Sequence, residues 1–178
     1  MLNEKVHQAI NKQINKELYS AYLYQSMMAH FDALGLQGFA NWMRIQSMEE
    51  TLHAYKFYAY VIERGMKVTL TGIDGPETEW PTPLAAFEQV LSHEQYVTSL
   101  INNLMDIALE TRDHASTSFL QWYVDEQVEE EGNAEQIVSK LKLIGDNPQA
   151  LLMIDQELGA RVFAIPPGMP SAISGGAA

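Results

Sequence analysis

The sequence predicts an all-α fold: a four-helix bundle with one long crossover between its second and third helices, followed by a short fifth helix. Apolar side chains recur at steps of three and four residues along four long segments. A capping residue, a glycine or a proline bounds each of these segments. About 17 residues between the second and third segments are rich in glycine and proline and cannot form one regular helix.

Local signals set the bounds of the first two helices. Asn3 can cap a first helix that runs to about Ala33, and Gly35 then breaks the pattern. A second helix starts near Gln37 or Gly38 and stops at Gly65. The stretch KVTLTGI that follows shows the only strand-like alternation in the sequence.

Three further helices follow the long connection. Thr82 precedes a proline suited to the first helical turn, so a third helix starts there and runs to about Glu110. A fourth runs over about 116–144 and ends at Gly145. Asn147 and the proline after it start a fifth helix that reaches about Val162.

The long connection decides the topology. A helix of about 28 residues is about 42 Å long, and an extended connection of about 17 residues can span about 55 Å. The connection can therefore return along the whole bundle and make the second and third helices parallel. The alternative is two stacked hairpins with a floppy loop. We expect one domain over residues 1–162 and a flexible tail rich in proline, glycine and alanine over 163–178.

Composition excludes several classes of function. The formal charge of −12 argues against a nucleic-acid or membrane partner and is compatible with cation binding. Because the sequence has no cysteine, disulfides, iron–sulfur clusters and thiolate zinc sites are excluded. The N-terminus has no signal-peptide core and no apolar run is long enough to span a membrane, so we expect a cytoplasmic protein.

The core-facing side chains of all four long helices turn polar near mid-length. The first helix has Glu17 at this position, the second has Glu50 and His53, the third has Glu94, and the fourth has Gln127 and Glu130. Because the helices have similar lengths and run side by side, we expect these groups to meet at one height inside the bundle.

A sequence repeat strengthens this expectation. Glu50 follows Glu17 by 33 residues, and Gln127 follows Glu94 by 33. At an offset of 77 residues the first hairpin matches the second, with four pairs: Glu17 with Glu94, Glu49 with Glu126, Glu50 with Gln127, and His53 with Glu130. The repeat indicates an internal pseudo-twofold axis.

Buried carboxylates need protons or cations to offset their desolvation. Two divalent cations would neutralise four of them: Glu17, Glu50, Glu94 and Glu130. No basic residue occupies the central core positions of the pattern. Carboxylates with one imidazole and no thiolate suit iron or manganese better than structural zinc.

These motifs resemble the ferritin family and, within it, the bacterial non-haem ferritins. The resemblance covers the chain from the first helix through the short fifth, and it implies a ferritin-like fold. It also implies a twenty-four-subunit hollow shell in which ferrous iron is oxidised by O2 or H2O2 and stored as a ferric mineral. The protein would then be a ferroxidase.

The resemblance also implies roles for individual residues. One iron would be held by Glu17, Glu50 and His53, and a second by Glu94, Glu130 and a bridging Glu50. Gln127 would be an amide placed to hydrogen-bond bound oxygen or water. A third iron site would use Glu49, Glu126 and Glu129, with Glu130 shared. Tyr24 would adjoin the centre, and Trp122 is a second candidate redox neighbour.

Departures from neighbouring families refine this interpretation. Bacterioferritins carry a second Glu-x-x-His motif, whereas Gln127 and Glu130 stand there in this sequence. They also place a haem-ligating methionine after the first-motif glutamate, where this chain has Thr51, so no haem is expected, although Met48 lies nearby. The alternatives left open are a diiron oxygenase or oxidase on the same bundle, and a non-redox protein that buffers metal ions.

Overall fold

The computed structural model describes residues 2–165 and 169, and these residues form five α-helices and no β-strand. The helices are α1 (Glu4–Leu34), α2 (Gln37–Glu63), α3 (Pro83–Glu110), α4 (His114–Ile144) and α5 (Pro148–Gly159). The prediction of an all-α chain is confirmed, and the stretch KVTLTGI is irregular. None of the five helices is both long and apolar enough to cross a lipid bilayer. Most of the predicted tail, residues 163–178, lies outside the described residues.

Two predicted boundaries are wrong by two or three residues, and side-chain caps explain both. The start of α4 lies two residues earlier than expected, because the carboxylate of Asp113 accepts a hydrogen bond from the backbone N–H of Ser116 at 3.2 Å. The end of α5 lies at Gly159 and not near Val162. The Asn41 side chain donates there to carbonyl oxygens at the end of the helix, which closes it.

Packing divides the chain into two compact units. The first contains Ile10–Glu79 and the described residues from Met153 onward, and the second contains Leu2–Ala9 and Trp80–Leu152. The first unit therefore holds α2, most of α1 and the second half of α5, whereas the second unit holds α3 and α4. The single domain over residues 1–162 stays a prediction.

In the first unit, α1 and α2 form a helical hairpin joined by a two-residue link. Gly35 in this link has a φ of +76°, which favours glycine over residues that carry a Cβ. The connection after α2 returns along α1: the N–H of Thr69 donates to Asn11 Oδ1 at 2.7 Å, and Ser26 Oγ donates to the carbonyl of Glu77 at 2.5 Å. The long connection thus runs parallel to α1, over about 22 Å of that helix.

The second half of α5 is held against the start of α2. Asp155 Oδ1 accepts from the N–H groups of Gly38 at 2.8 Å and Phe39 at 3.1 Å, and so caps the first turn of α2. Contact is so close that a Cβ on Gly38 would lie 1.6 Å from the backbone oxygen of Asp155. A glycine is therefore required at position 38.

In the second unit, α3 and α4 form the other hairpin. Thr82 caps α3 as predicted, because its hydroxyl oxygen accepts from the N–H of Ala85 at 3.0 Å. An exposed ion pair joins the two helices between Lys142 Nζ and Glu88 Oε1 at 2.9 Å. Such an exposed pair adds little stability.

Most of the predicted core positions are buried. The steps of three and four predict eight core residues on α1 and seven on α2, and all of them are buried: Val6, Ile10, Gln13, Glu17, Ser20, Tyr24, Met27 and Phe31, and Phe39, Met43, Gln46, Glu50, His53, Phe57 and Tyr60. On α3 and α4, three predicted core residues are only half-buried: Leu91, Met105 and Phe119. Their sequence neighbours Val90, Leu104 and Leu120 fill the core instead. On α3 the prediction took a step of four before a step of three, whereas the observed core takes the step of three first, at Val90 and again at Leu104.

Candidate metal centre

Three predicted ligands come together in the first unit, and we call them the α1–α2 cluster: Glu17 on α1, and Glu50 and His53 on α2. One ligand atom from each lies within 4.8 Å of the others. Their exposed fractions are only 1%, 2% and 2%, in that order. His53 Nδ1 lies 3.5 Å from Glu50 Oε2. The cluster is compact enough to hold one ion.

Burial makes the carboxyl group of Glu17 costly to ionise. Desolvation raises its pKa, while electrostatic interaction with His53 and the neighbouring side chains of Gln13 and Glu50 lower it by less. Gln13 Nε2 donates to Glu17 Oε1 at 2.9 Å. The other oxygen, Oε2, is buried and has no hydrogen-bond partner among the described residues.

This oxygen shows that the α1–α2 cluster fits a cation. A buried carboxylate oxygen without a donor leaves a desolvated negative charge that a proton or a metal ion would stabilise. Two carboxylates and one imidazole are a ligand set that iron accepts. The local charge and geometry therefore both favour metal binding.

The second unit holds the α3–α4 cluster: Glu94 on α3, and Gln127 and Glu130 on α4. All three are buried, with exposed fractions of 1%, 5% and 5%. Gln127 Nε2 donates to the backbone oxygen of Glu94 at 3.2 Å and to its Oε2 at 3.4 Å. Glu94 Oε2 thus accepts a hydrogen bond from Gln127, whereas Glu17 Oε2 has no donor among the described residues.

The two clusters occupy equivalent elements of the sequence repeat. Glu17 and Glu94 lie on the first helix of their hairpins, whereas Glu50 and Gln127 lie on the second. All four are buried. The predicted repeat therefore places chemically related side chains on the buried faces of matching helices.

Glu49, predicted to belong to a third iron site, has a cationic side chain beside it. Arg161 Nη2 lies 2.5 Å from Glu49 Oε2, and the two side chains are 23% and 14% exposed. The same guanidinium donates through Nη1 to Gln46 Oε1 at 2.9 Å and lies 4.9 Å from the ring centroid of Trp42. We call these contacts the Arg161 clamp.

The Arg161 clamp was missed by sequence reasoning. Arg161 follows the end of α5 and is 112 residues from Glu49, so no local pattern links them. A signal was present in the glycine at position 38, since an unexplained glycine in the first turn of a helix indicates a close approach by another segment. That segment is the second half of α5, which brings Arg161 with it.

The remaining predicted site residues are distributed as follows. Glu126 is half-buried and Glu129 is exposed, both on α4. Tyr24 is fully buried on α1, with its ring edge-on to Trp42 at a centroid distance of 6.4 Å. Trp122 is half-buried and lies edge-on to Tyr123 at 4.8 Å.

Comparison with known proteins identifies the family. Residues 7–144 match the family model Ferritin, described as a ferritin-like domain. The chain belongs to the ferritin family. The resemblance to the ferritin family, which the glutamate and histidine motifs indicated, is therefore confirmed.

Individual relatives extend the match over most of the chain. A bacterial non-heme ferritin of Bacteroides fragilis is 45% identical over 161 residues, which cover 90% of this chain and 100% of the relative. Another from Staphylococcus saprophyticus is 42% identical over 163 residues, with 92% of this chain and 98% of the relative covered.

Solved structures agree in fold. An engineered closed form of the Archaeoglobus fulgidus ferritin superposes with a TM-score of 0.91 at 52% identity, covering 92% of this chain and 100% of that one. The open-pore ferritin of the same archaeon superposes at 0.90, with 91% of this chain and 100% of that one covered. The predicted fold class, a four-helix bundle with a short C-terminal helix, is confirmed, and family membership supports iron storage as the function.

Proposed function

We propose that this member of the ferritin family stores iron and oxidises it on the way in, as a ferroxidase with a diiron centre. The observation that carries the proposal is the α1–α2 cluster: three buried ligands within 4.8 Å of one another, one with an oxygen that lacks a donor. In this proposal Fe2+ is the substrate, and both clusters supply its ligands. Manganese/iron oxidases or oxygenases would need an organic substrate pocket as well.

Charge balance sets the number of ions. Two Fe2+ ions supply the four positive charges that neutralise the buried carboxylates Glu17, Glu50, Glu94 and Glu130. The neutral ring of His53 adds a nitrogen ligand without adding charge. By the family resemblance, Glu50 would bridge the two ions. Anionic oxygen ligands stabilise Fe3+ more than Fe2+ and so favour oxidation.

The redox step balances with O2 or with H2O2. Each Fe2+ gives up one electron, so a pair supplies the two electrons that, with two protons, reduce O2 to H2O2. Two electrons and two protons likewise reduce H2O2 to two molecules of water. The protein contributes by holding two ions at reacting distance in a site shielded from bulk water.

Storage requires an enclosed space, which we propose is a cytoplasmic homo-oligomeric shell of twenty-four copies. Several large apolar side chains on α1 and α2 are exposed in the single chain, and these support self-association: Tyr22, Tyr55, Tyr58 and Ile62. The number of copies rests on the family resemblance. The Archaeoglobus fulgidus relative is an open-pore ferritin, so pores are a feature of that protein.

A third metal site is proposed at Glu49, Glu126 and Glu129, with Glu130 shared. The Arg161 clamp bears on this proposal, because its guanidinium already neutralises Glu49. A third ion would have to displace the guanidinium or share the carboxylate with it. Occupancy of this site is therefore expected to be weaker than that of the diiron centre.

The ferroxidase proposal is tested by adding Fe2+ to the metal-free protein in air and following ferric absorbance. We expect rapid oxidation by the wild type and a loss of initial rate of about 100-fold in Glu50→Ala and in His53→Ala, equivalent to about 2.7 kcal/mol. Glu110→Ala, at an exposed position on α3, is the matched control and should leave the rate unchanged. Oxidation at the rate of free Fe2+ by wild type would contradict the proposal.

A further inference from the structure

Thr98 and Glu131 continue the hydrogen bonds of the α3–α4 cluster outward from its buried ligand. Thr98 Oγ1 donates to Glu131 Oε1 at 2.5 Å and accepts from Gln127 Nε2 at 3.2 Å. Gln127 Nε2 also donates to Glu94 Oε2. A chain of four side chains thus connects half-buried Glu131 with buried Glu94.

The carboxylate of Glu131 sets which atoms donate and which accept along this series of hydrogen bonds. A carboxylate can only accept hydrogen bonds, so the Thr98 hydroxyl must donate its single proton to Glu131. The Thr98 oxygen can then only accept, and the NH2 group of Gln127 is the donor that serves it. The carbonyl oxygen of the Gln127 amide is consequently turned away from Thr98 and Glu94.

The reversed amide would be costly at this site. Rotating the Gln127 amide by half a turn would place its carbonyl oxygen against the backbone and carboxylate oxygens of Glu94. Three acceptors would then face one another without a donor in a buried place. Glu131 and Glu94 lie at the two ends of this series of hydrogen bonds, and both therefore favour the same orientation of the Gln127 amide.

The internal repeat offers a comparison within the same molecule. At the offset of 77 residues, Thr98 corresponds to Ala21 and Glu131 to Ala54. Both alanines are buried and offer no side-chain hydrogen bond. In that hairpin the residue matching Gln127 is Glu50, which has no amide to orient. The Thr98–Glu131 pair therefore occurs in the hairpin whose central residue has two possible orientations.

A cavity between α3 and α4 makes the orientation matter. It has a volume of about 380 Å³, and its lining includes Thr98, Gln127, Glu131 and Glu135. An amide at the edge of such a cavity could turn to hydrogen-bond water instead of Glu94. The Thr98–Glu131 pair competes with that solvation and holds the amide on the buried side.

We propose that Thr98 and Glu131 are positioning residues that fix the Gln127 amide and, through it, the carboxylate of Glu94. The inference deepens the proposed function, since it rests on Glu94 being a metal ligand. It assigns the two residues an indirect part in metal binding, because neither is a ligand itself. Their removal should weaken metal binding, and a substitution that keeps the hydroxyl should restore it.

Co2+ is a suitable probe, because it binds carboxylate and imidazole ligands and its absorption reports ligand geometry without turnover. We expect Thr98→Val and Glu131→Met to weaken Co2+ binding about tenfold and to change its visible spectrum. Thr98→Ser should retain wild-type affinity. Glu135→Gln, which removes a carboxylate from the same cavity, is the control and should bind Co2+ normally.

A double-mutant cycle separates positioning from general stability. In a Gln127→Met background there is no amide to orient, so Thr98→Val should add little further loss of Co2+ affinity. An undiminished tenfold loss in that background, or normal affinity in Thr98→Val itself, would overturn the proposal. If the Co2+ results hold but wild type fails to oxidise Fe2+, the ferroxidase proposal fails and the positioning role stands.

Discussion

The α1–α2 cluster and the α3–α4 cluster occupy matched positions of one repeat but satisfy their buried carboxylates differently. Glu17 Oε2 has no donor among the described residues, whereas Glu94 Oε2 accepts from Gln127. The difference follows from one pair of matched positions, where the first hairpin has Glu50 and the second has Gln127. The first cluster therefore depends more on a bound cation, and the second is partly satisfied without one.

The exchange also explains the neighbouring residues. An amide needs acceptors for its NH2 group, and Thr98 and Glu94 supply them. A carboxylate at Glu50 needs cations or protons instead, and the positions that match Thr98 and Glu131 are the buried alanines Ala21 and Ala54. A duplicated hairpin can thus diverge at one residue when its immediate neighbours change with it.

Exchanging the two central residues is expected to give the largest effect. Glu50→Gln removes a ligand and a charge from the α1–α2 cluster, so Co2+ affinity should fall about 100-fold, or about 2.7 kcal/mol. Gln127→Glu adds a buried charge beside Glu94 and should lower the stability of the metal-free protein more than that of the loaded one. Calorimetric titration and thermal unfolding measure both. Equal losses of affinity in the two variants would break the comparison between the clusters.

Removing the Arg161 clamp is expected to give an intermediate effect. Arg161→Gln loses a charge-assisted hydrogen bond to Glu49 and the stacking on Trp42, and it should lower the free energy of unfolding by about 2 kcal/mol. Chemical denaturation measures the change. Lys12→Gln, which removes an exposed positive charge from α1, is the control and should change stability by less than about 0.5 kcal/mol.

The same variant tests how the clamp affects metal binding at Glu49. With the guanidinium gone, Glu49 is left as a carboxylate of low exposure, 14%, and should attract an additional divalent ion. More Co2+ should therefore bind per chain in Arg161→Gln than in wild type. An unchanged stoichiometry would show that Arg161 does not compete for the third site.

The pH dependence of the metal-free protein should give the smallest effect. The pKa of Glu17 is raised from 4.5 by burial, so below pH 4.5 the carboxyl is protonated in both folded and unfolded chains. As the pH rises from there through the raised pKa, only the unfolded chain releases the proton readily, and stability falls. One such group contributes at most about 1.4 kcal/mol per pH unit.

Glu17→Gln, which stays neutral, isolates this contribution. Its unfolding free energy should fall less steeply with pH than that of the wild type, whereas Glu110→Gln should keep the wild-type slope. Denaturant titrations at several pH values measure the slopes. Adding Co2+ should reduce the pH dependence of the wild type, because the ion replaces the proton. Parallel curves for wild type and Glu17→Gln would contradict the expected cost of burying Glu17.

The sequence by itself determined the number of helices, most of their bounds and the buried polar residues. Helical periodicity and caps are local properties, so they predicted Glu17, Glu50, His53, Glu94, Gln127 and Glu130 as buried before any packing was known. The repeat at 77 residues added the pairing of the two hairpins. On α3 and α4 the predicted core position was wrong by one residue at three places, because periodicity alone left open the order of the steps of three and four.

Only the tertiary structure decided the contacts that join distant segments. Asp155 caps α2 across 117 residues, and Arg161 pairs with Glu49 across 112. The direction of the Thr98–Gln127 hydrogen bond likewise depends on which groups meet between α3 and α4. Periodicity predicts which face of a helix is buried, but it does not predict which side chains of other helices contact that face. Partners of that kind are set by the packing of whole helices, for which the sequence contains no local signal.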